Sequence, residues 1–167
     1  MKFTQVITLG FAGFAAAAPL AARQNNVFST QTFNDLSISG GTAGNAEQEA
    51  LEKLSGLPTD LSTVSKADLD FLNSVNQIAN KAEKEAFNPA IEAASGEEAD
   101  ALQRGKIKNK VLKLTATMLK LQAQQAQGQD VADKMATEQK KLDNNIAQDT
   151  KDAGKASTAL DFNASTA

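Results

Sequence analysis

Four lysines at helical spacing are the side chains in this chain with the clearest capacity for chemistry. Residues 101–129 carry six basic side chains and no acidic one. At about 100° per residue, four of the six fall on one helix face, within roughly 80°: Lys106, Lys110, Lys113 and Lys120. This face could bind anionic lipid headgroups, a polysaccharide or a host protein. The alternative is a solvated face whose charge is balanced by acidic residues on neighbouring helices, such as Glu49 and Asp133.

The side chains that most often catalyse reactions are missing from the sequence. Because it contains no histidine and no cysteine, a Ser-His-Asp triad, a Cys-His pair and imidazole or thiolate metal ligands are excluded. Carboxylate pairs such as Asp68 and Asp70 are two residues apart, so they would not face each other on a helix. We therefore predict no catalytic residue, no metal site, no cofactor and no enzymatic activity.

A glycine-rich segment, residues 39–45 (SGGTAGN), precedes a predicted helix. Backbone N–H groups at such a position could cradle an anion. The segment lacks the Lys-Ser/Thr pair of a phosphate-binding loop, and the alternative is a flexible lead-in that ends in a cap at Asn45.

The elements that position these residues are predicted to be helices. Hydrophobic residues at helical spacing indicate a short helix over about residues 45–54 and a longer one that begins near Ser65. The Ser65 hydroxyl can cap this second helix, with Asp68 three residues later. Pro89 then forces a kink or a restart, because proline lacks an N–H and its ring clashes with the preceding turn.

A long third helix is predicted over about residues 97–127, and a fourth over about 130–153 after a turn at Gly128. The sequence SGEE at 95–98 has the form of a capping box for the third helix. Two apolar stripes on this helix indicate that it is contacted from two sides, as in a bundle. The alternative is one fused rod, which is disfavoured because heptad spacing is lost around 124–129.

These patterns together predict an all-α fold. We expect an up-down bundle of three long helices plus one short N-terminal helix, within residues 44–154. Residues 19–43 are rich in Gly, Ser and Asn and should be extended, with Leu36 and Ile38 alternating as in a short strand. Residues 155–167 should form a tail that could pair with this N-terminal segment.

The first residues have the pattern of a secretion signal. Lys2 precedes an apolar run of 13 residues, which is too short to span a bilayer. We predict a signal peptide over residues 1–18, cleavage between 17 and 22, and a secreted, extracellular protein with no transmembrane segment in the mature chain. An uncleaved anchor is the alternative. Asn163 begins the sequon Asn-Ala-Ser and is a candidate for N-glycosylation.

Charge and cysteine content narrow the classes of partner and fold. Without Lys2 and Arg23, the mature chain would keep 15 basic and 20 acidic residues, a net charge of −5. We therefore expect no nucleic-acid partner, since nucleic-acid-binding domains are typically basic. Small secreted domains often depend on disulfides, but this chain has no cysteine. The fold must be stabilised by packing alone.

Four segments give the chain a resemblance to a known group of proteins: 37–47 (SISGGTAGNAE), 67–96, 102–124 and 138–158 (EQKKLDNNIAQDTKDAGKAST). In these segments it resembles the cysteine-free small secreted proteins of filamentous ascomycete fungi. That group is functionally uncharacterised, and its members are described as secreted, effector-like or cell-surface candidates. The resemblance implies secretion and a helical fold, and it assigns no site residue.

Two functions follow as hypotheses. The first is a non-enzymatic small secreted fungal protein that acts by surface interaction at the cell wall or with a host. The second is a carrier or coat protein that binds apolar ligands or hydrophobic surfaces through a groove between the second, third and fourth helices. The second rests on analogy at fold level with helical hydrophobic-surface-binding proteins of fungi.

Overall fold

The computed structural model describes residues 26–166, and these contain six α-helices. In chain order the helices are α1 (Phe33–Leu36), α2 (Ala46–Lys53), α3 (Lys66–Ala82), α4 (Asn88–Ala93), α5 (Gly96–Ala126) and α6 (Ala132–Lys151). Between residues 26 and 166 the only β-type pairings are two isolated bridges, so the predicted all-α bundle is confirmed. The predicted signal peptide lies outside the described residues.

The 31-residue helix α5 forms the centre of the bundle and is about 46 Å long. Helices α3 and α6 pack along two of its sides, and each contacts α5 far more extensively than it contacts the other. Both predicted apolar stripes of α5 are largely buried. Their buried members are Ile107, Val111, Leu112, Leu114, Ala116, Met118, Leu121 and Ala123. The opposing surface of α3 is formed by Phe71, Leu72, Val75 and Ile78.

The predicted start and interruption of the second helix are both present. The Ser65 Oγ atom accepts the N–H of Asp68 at 3.0 Å, which caps α3. Beyond Ala82 the chain becomes π-helical over Glu83–Phe87, and α4 follows with Pro89 in its first turn. The N–H of Asn88 donates to the carbonyl of Glu83, so the helical hydrogen bonds continue up to the proline. The helical pitch therefore changes before Pro89, and the helix does not break there.

The predicted capping box at residues 95–98 is wrong. Ser95 makes no side-chain hydrogen bond to the start of α5, and Gly96 adopts a φ of 59°. Glu97, the residue before the acid of the box, pairs with the guanidinium of Arg104, whose side chain is buried. The predicted cap is therefore not formed, and Glu97 serves as the counter-ion of a buried cation.

The prediction that residues 19–43 are extended is wrong for one helical turn, α1. The Thr32 hydroxyl accepts the N–H of Asp35, and the Asp35 carboxylate accepts the N–H of Thr32. This reciprocal cap initiates a helix where alternation suggested a strand. Leu36 and Ile38 are both buried against the bundle.

The C-terminal residues 155–166, which we call the strap, cross α5 and pair with the N-terminal segment. Antiparallel bridges join Thr32 to Ser165 and Thr42 to Ala156. The predicted pairing of the two ends is therefore present. Where the strap crosses α5, the Thr158 N–H donates to the carbonyl of Ala101 at 3.0 Å.

Candidate anion-binding cleft

Three of the four predicted lysines line one cleft. Helix α5 forms its floor with Lys110, Lys113 and Lys120, and α3 and α6 form its walls. Lys106 lies outside the cleft, where its Nζ atom is 3.3 Å from Oδ1 of Asn88. All four lysines are half-buried, so this face is less solvated than the alternative prediction assumed.

The cleft has two lobes, which share Asn76 of α3 and Glu138 of α6. The larger lobe has a volume of about 410 Å³ and contains Lys110 and Lys113. The smaller lobe has a volume of about 240 Å³ and contains Lys120. Together they reach the size of small-molecule sites in proteins.

Helix α3 contributes three asparagines, Asn73, Asn76 and Asn80, which share one face because they are three and four residues apart. Each reaches a side chain of α5. The Asn73 Oδ1 atom accepts from Nζ of Lys120 at 2.9 Å, and Asn80 Oδ1 accepts from Nζ of Lys113 at 3.3 Å. The carboxamide of Asn76 donates to the hydroxyl of Thr117 at 2.8 Å. These bonds hold the asparagines at the wall.

Helix α6 contributes a second polar stripe at spacings of four, three and four: Lys134, Glu138, Lys141 and Asn145. Its carboxylate, on Glu138, lies 2.8 Å from Nζ of Lys141. Neither polar wall was predicted, although the helical period of both is visible in the sequence. The period alone did not separate a cleft wall from an ordinary solvated face.

The cleft is electropositive although the chain as a whole is acidic. Five lysines and one glutamate line the two lobes, a net charge of +4, whereas the full chain carries −3. Burial, and then the nearby cation of Lys134, hold the pKa of Lys120 below its ordinary value of 10.5, while Asp70 acts in the opposite direction. A bound anion would relieve the repulsion between the two ammonium groups.

One carboxylate outside the lining partly neutralises the larger lobe. Glu83, in the π-helical segment, lies 2.7 Å from Nζ of Lys113 and 3.8 Å from Nζ of Lys110. The acidic residues predicted to balance these lysines were on the first and fourth predicted helices, which correspond to α2 and α6. Glu49, one of them, pairs with Lys108 instead.

The remaining two basic residues of α5 are structural. The Lys108 side chain is only 1% exposed, and its Nζ atom donates to the carbonyls of Gly40 and Thr42 and to the carboxylate of Glu49. Arg104 is buried and donates to the carbonyl of Ala156 in the strap. These two cations attach the terminal segments to the bundle and are not accessible to a partner.

The glycine-rich segment at 39–45 does receive an anion, but one from the chain itself. The Asp149 Oδ2 atom accepts the N–H groups of Gly44 and Ala46, each at 2.9 Å. Asn45 makes no capping hydrogen bond with its side chain. Asp149 of α6 therefore supplies the cap of α2 in place of Asn45, and it occupies the position where a phosphate could have bound.

Asp68 and Asp70, which are two residues apart, have separate partners. Asp68 is buried and accepts the N–H groups of Val27 and Phe28 at 2.9 and 3.0 Å, whereas Asp70 is exposed and pairs with Lys66. Within residues 26–166, no three potential ligands come together as a metal site would require. Asp68 thus holds the N-terminal segment against α3.

Asn163 lies on the surface, as the acceptor of an N-linked glycan must. Ser165, the third residue of the sequon, is also exposed, although its backbone is bridged to Thr32. Glycosylation of Asn163 stays a prediction.

The groove that a carrier would need coincides with this cleft, but its lining is mostly polar. Its apolar residues are Leu72, Leu114 and Leu121, and the other described lining residues are charged or carry an amide or hydroxyl. In the part of the chain that the structure describes, no helix is long and apolar enough to cross a membrane.

Comparisons with known proteins give one match. Searches of curated proteins and of solved structures find no match to this chain. The model of the family described as a domain of unknown function (DUF8454) matches residues 28–161, which include α1 to α6 and most of the strap. The chain belongs to the DUF8454 family.

Proposed function

We propose that this protein is a non-enzymatic, secreted interaction protein and that its lysine-lined cleft binds an anionic partner. The observation that carries the proposal is the cleft itself. Five lysines from α5 and α6 converge on it in a chain that is acidic overall. Concentrated charge of one sign in a concave, partly desolvated site attracts ligands of the opposite sign.

Three further observations support this proposal. Burial first, and the nearby cation of Lys134 second, lower the pKa of Lys120, so a cation stands in the cleft without full compensation by the protein. The lining side chains are placed by hydrogen bonds from α3 to α5, so the site is formed before any ligand arrives. The basic residues that the fold needs for its own stability, Arg104 and Lys108, are separate from the cleft.

Secretion rests on the N-terminal pattern of Lys2 and the apolar run after it, and on the resemblance to small secreted fungal proteins. The secreted protein would then act at the cell wall or on a host. The test is expression of the full chain in a eukaryotic secretory host, followed by N-terminal sequencing of protein from the medium. We expect a new N-terminus between residues 17 and 22. Retention of the whole protein in the cell would contradict secretion.

Binding is tested with the secreted protein and an immobilised sulfated polysaccharide as the anionic probe. We expect binding at low salt that weakens as salt rises. The triple variant Lys110→Gln, Lys113→Gln, Lys120→Gln should lose at least about tenfold in affinity.

The matched control makes the same change in net charge at three exposed lysines outside the cleft, Lys66→Gln, Lys84→Gln and Lys151→Gln. It should bind nearly as the wild type does. If the wild type does not bind at low salt, or if both triple variants lose affinity equally, the cleft is not the binding site.

The carrier or coat function remains the second candidate. The position of the cleft between α3, α5 and α6 favours it, and the polar lining disfavours it. A fluorescent fatty acid or an oil–water interface serves as the probe. Uptake that persists in the cleft triple variant would support a carrier whose binding region lies elsewhere.

A further inference from the structure

The shape of the cleft limits what can occupy it. The two lobes share Asn76 and Glu138, so they lie side by side along α5, and we call the two together the groove. The lysines on its floor span ten residues, from Lys110 to Lys120, or about 15 Å of helix. A groove of this length, with cations along its floor, fits an elongated ligand with several negative groups better than one compact anion.

The rims of the groove argue against a membrane surface. Helices α3 and α6 stand on either side of the lysines, and Lys113 is only 15% exposed. A planar layer of headgroups would meet the exposed Lys134 and Lys141 of α6 before it reached Lys113. A narrow, flexible oligomer could enter between the two helices.

The asparagines of α3, which lie beside the lysines of α5, set a second requirement for the ligand. Lysine ammonium groups only donate hydrogen bonds, whereas a carboxamide both donates and accepts them. Asn73, Asn76 and Asn80 place such groups at intervals of about one helical turn beside the lysines. Hydroxyl groups also donate and accept, so a ligand with alternating anionic and hydroxyl groups matches both sets.

The lining also excludes the usual mode of binding neutral sugars. None of the described residues that line the groove is aromatic, so stacking of a sugar ring on an aromatic face is not available. Affinity must then come from hydrogen bonds and charge, and the five lysines favour an acidic sugar over a neutral one.

We propose that the groove binds a linear acidic oligosaccharide, with its anionic groups at Lys113 and Lys120 and its hydroxyl groups at the asparagines of α3. This inference rests on the proposed function, because it names the class of anion that the cleft takes. The lysines supply most of the attraction, and the asparagines distinguish a hydroxylated ligand from a simple polyanion.

The test is calorimetric titration of the secreted protein with a hexamer of α-1,4-linked galacturonate as the probe. A neutral glucose hexamer, the galacturonate monomer, inorganic polyphosphate and vesicles that contain anionic phospholipid are titrated for comparison. We expect the acidic hexamer to bind, the neutral hexamer not to bind, and the monomer to bind at least about tenfold more weakly.

Two variants test whether the groove recognises hydroxyl groups in addition to negative charge. Asn76→Leu removes one carboxamide and keeps the charge, and Gln77→Leu makes the same change on the exposed face of α3 beside it. Asn76→Leu should weaken the acidic hexamer about fivefold to tenfold and polyphosphate by less than about twofold. Gln77→Leu should change neither.

Other outcomes overturn the inference in distinguishable ways. If vesicles or polyphosphate bind through the lysines but the acidic hexamer does not, the oligosaccharide is wrong and the anion-binding function stands. Equal binding of the neutral and acidic hexamers also overturns it. If none of the anionic probes binds, the proposed function fails together with the inference.

Discussion

The carboxylate of Glu83 lies 2.7 Å from the Nζ atom of Lys113, and the two side chains are 18% and 15% exposed. The same carboxylate is 3.8 Å from Nζ of Lys110. Glu83 directly follows α3 and lies three residues after Asn80, so it continues the face of α3 that contacts the lysines of α5. It acts as an internal counter-ion with which any incoming anion must compete.

Glu83→Gln should therefore strengthen binding of anions. The amide keeps a hydrogen-bond acceptor for Lys113 and removes the negative charge. We expect affinity for a sulfated polysaccharide to rise about threefold to tenfold at low salt, and less at high salt. The measurement is a titration at two ionic strengths.

The control for this variant is Glu85→Gln, which removes the same charge from an exposed residue two positions away. It should change the affinity by less than about twofold, because solvent and salt screen a charge at that position. Weaker binding by Glu83→Gln would show that the acid organises the lysines and does not compete with the ligand.

Lys120 should reduce the stability of the folded protein at neutral pH. Burial first, and Lys134 second, place its pKa below 10.5 in the folded state. In the window between the lowered pKa and 10.5, the unfolded chain holds a proton that the folded chain has lost, so the free energy of unfolding rises with pH. Below that window both states are protonated, and the cost of the buried charge is fully present.

We thus expect Lys120→Met to melt at the same temperature as the wild type or higher at pH 7, with a difference that narrows as the pH approaches 10.5. The same variant should bind the anionic probe more weakly. Thermal melts from pH 7 to the alkaline range test this. A variant that is less stable at pH 7 would mean that the bond from Lys120 to Asn73 outweighs the desolvation of the charge.

Lys108, in contrast, should stabilise the folded protein, because its buried charge is fully paired. Lys108→Met would leave the carbonyls of Gly40 and Thr42 without this donor, and the carboxylate of Glu49 without its counter-ion. We expect a loss of about 2–4 kcal/mol in the free energy of unfolding, measured in urea. Lys106→Met, at a half-buried position on the same helix, should cost less than about 1 kcal/mol. Equal losses would contradict a special role for Lys108.

Gly105 should be required where the strap crosses α5. A Cβ atom at this position would lie 2.0 Å from the carbonyl oxygen of Thr158 and 3.2 Å from the ring of Phe87. Gly105→Ala should destabilise the fold by about 1–3 kcal/mol and make the strap more susceptible to limited proteolysis.

Gly40→Ala is the control for this glycine. Its Cβ atom would be 3.5 Å from that of Ala159, an ordinary contact. We expect a change below about 1 kcal/mol and no new cleavage in the strap. Cleavage at the same rate in both variants would mean that the close approach at Gly105 does not hold the strap.

The helices could be predicted from the sequence because their signals are local. Ser65 and Pro89 act on residues within one turn, and hydrophobic spacing sets the faces of α3 and α5. Local signals failed where a distant group competed. Asp149 displaces Asn45 as the cap of α2.

The sequence by itself determined that four lysines share one face of a long helix, since helical periodicity fixes the angles between side chains. Only the tertiary structure decided what that face becomes. Packing of α3 and α6 on either side of α5 turned three of the lysines into the floor of a cleft and left Lys106 outside. It also buried Lys108, two residues from Lys110, beside Glu49. These outcomes depend on how helices far apart in the chain pack together, which no local pattern encodes.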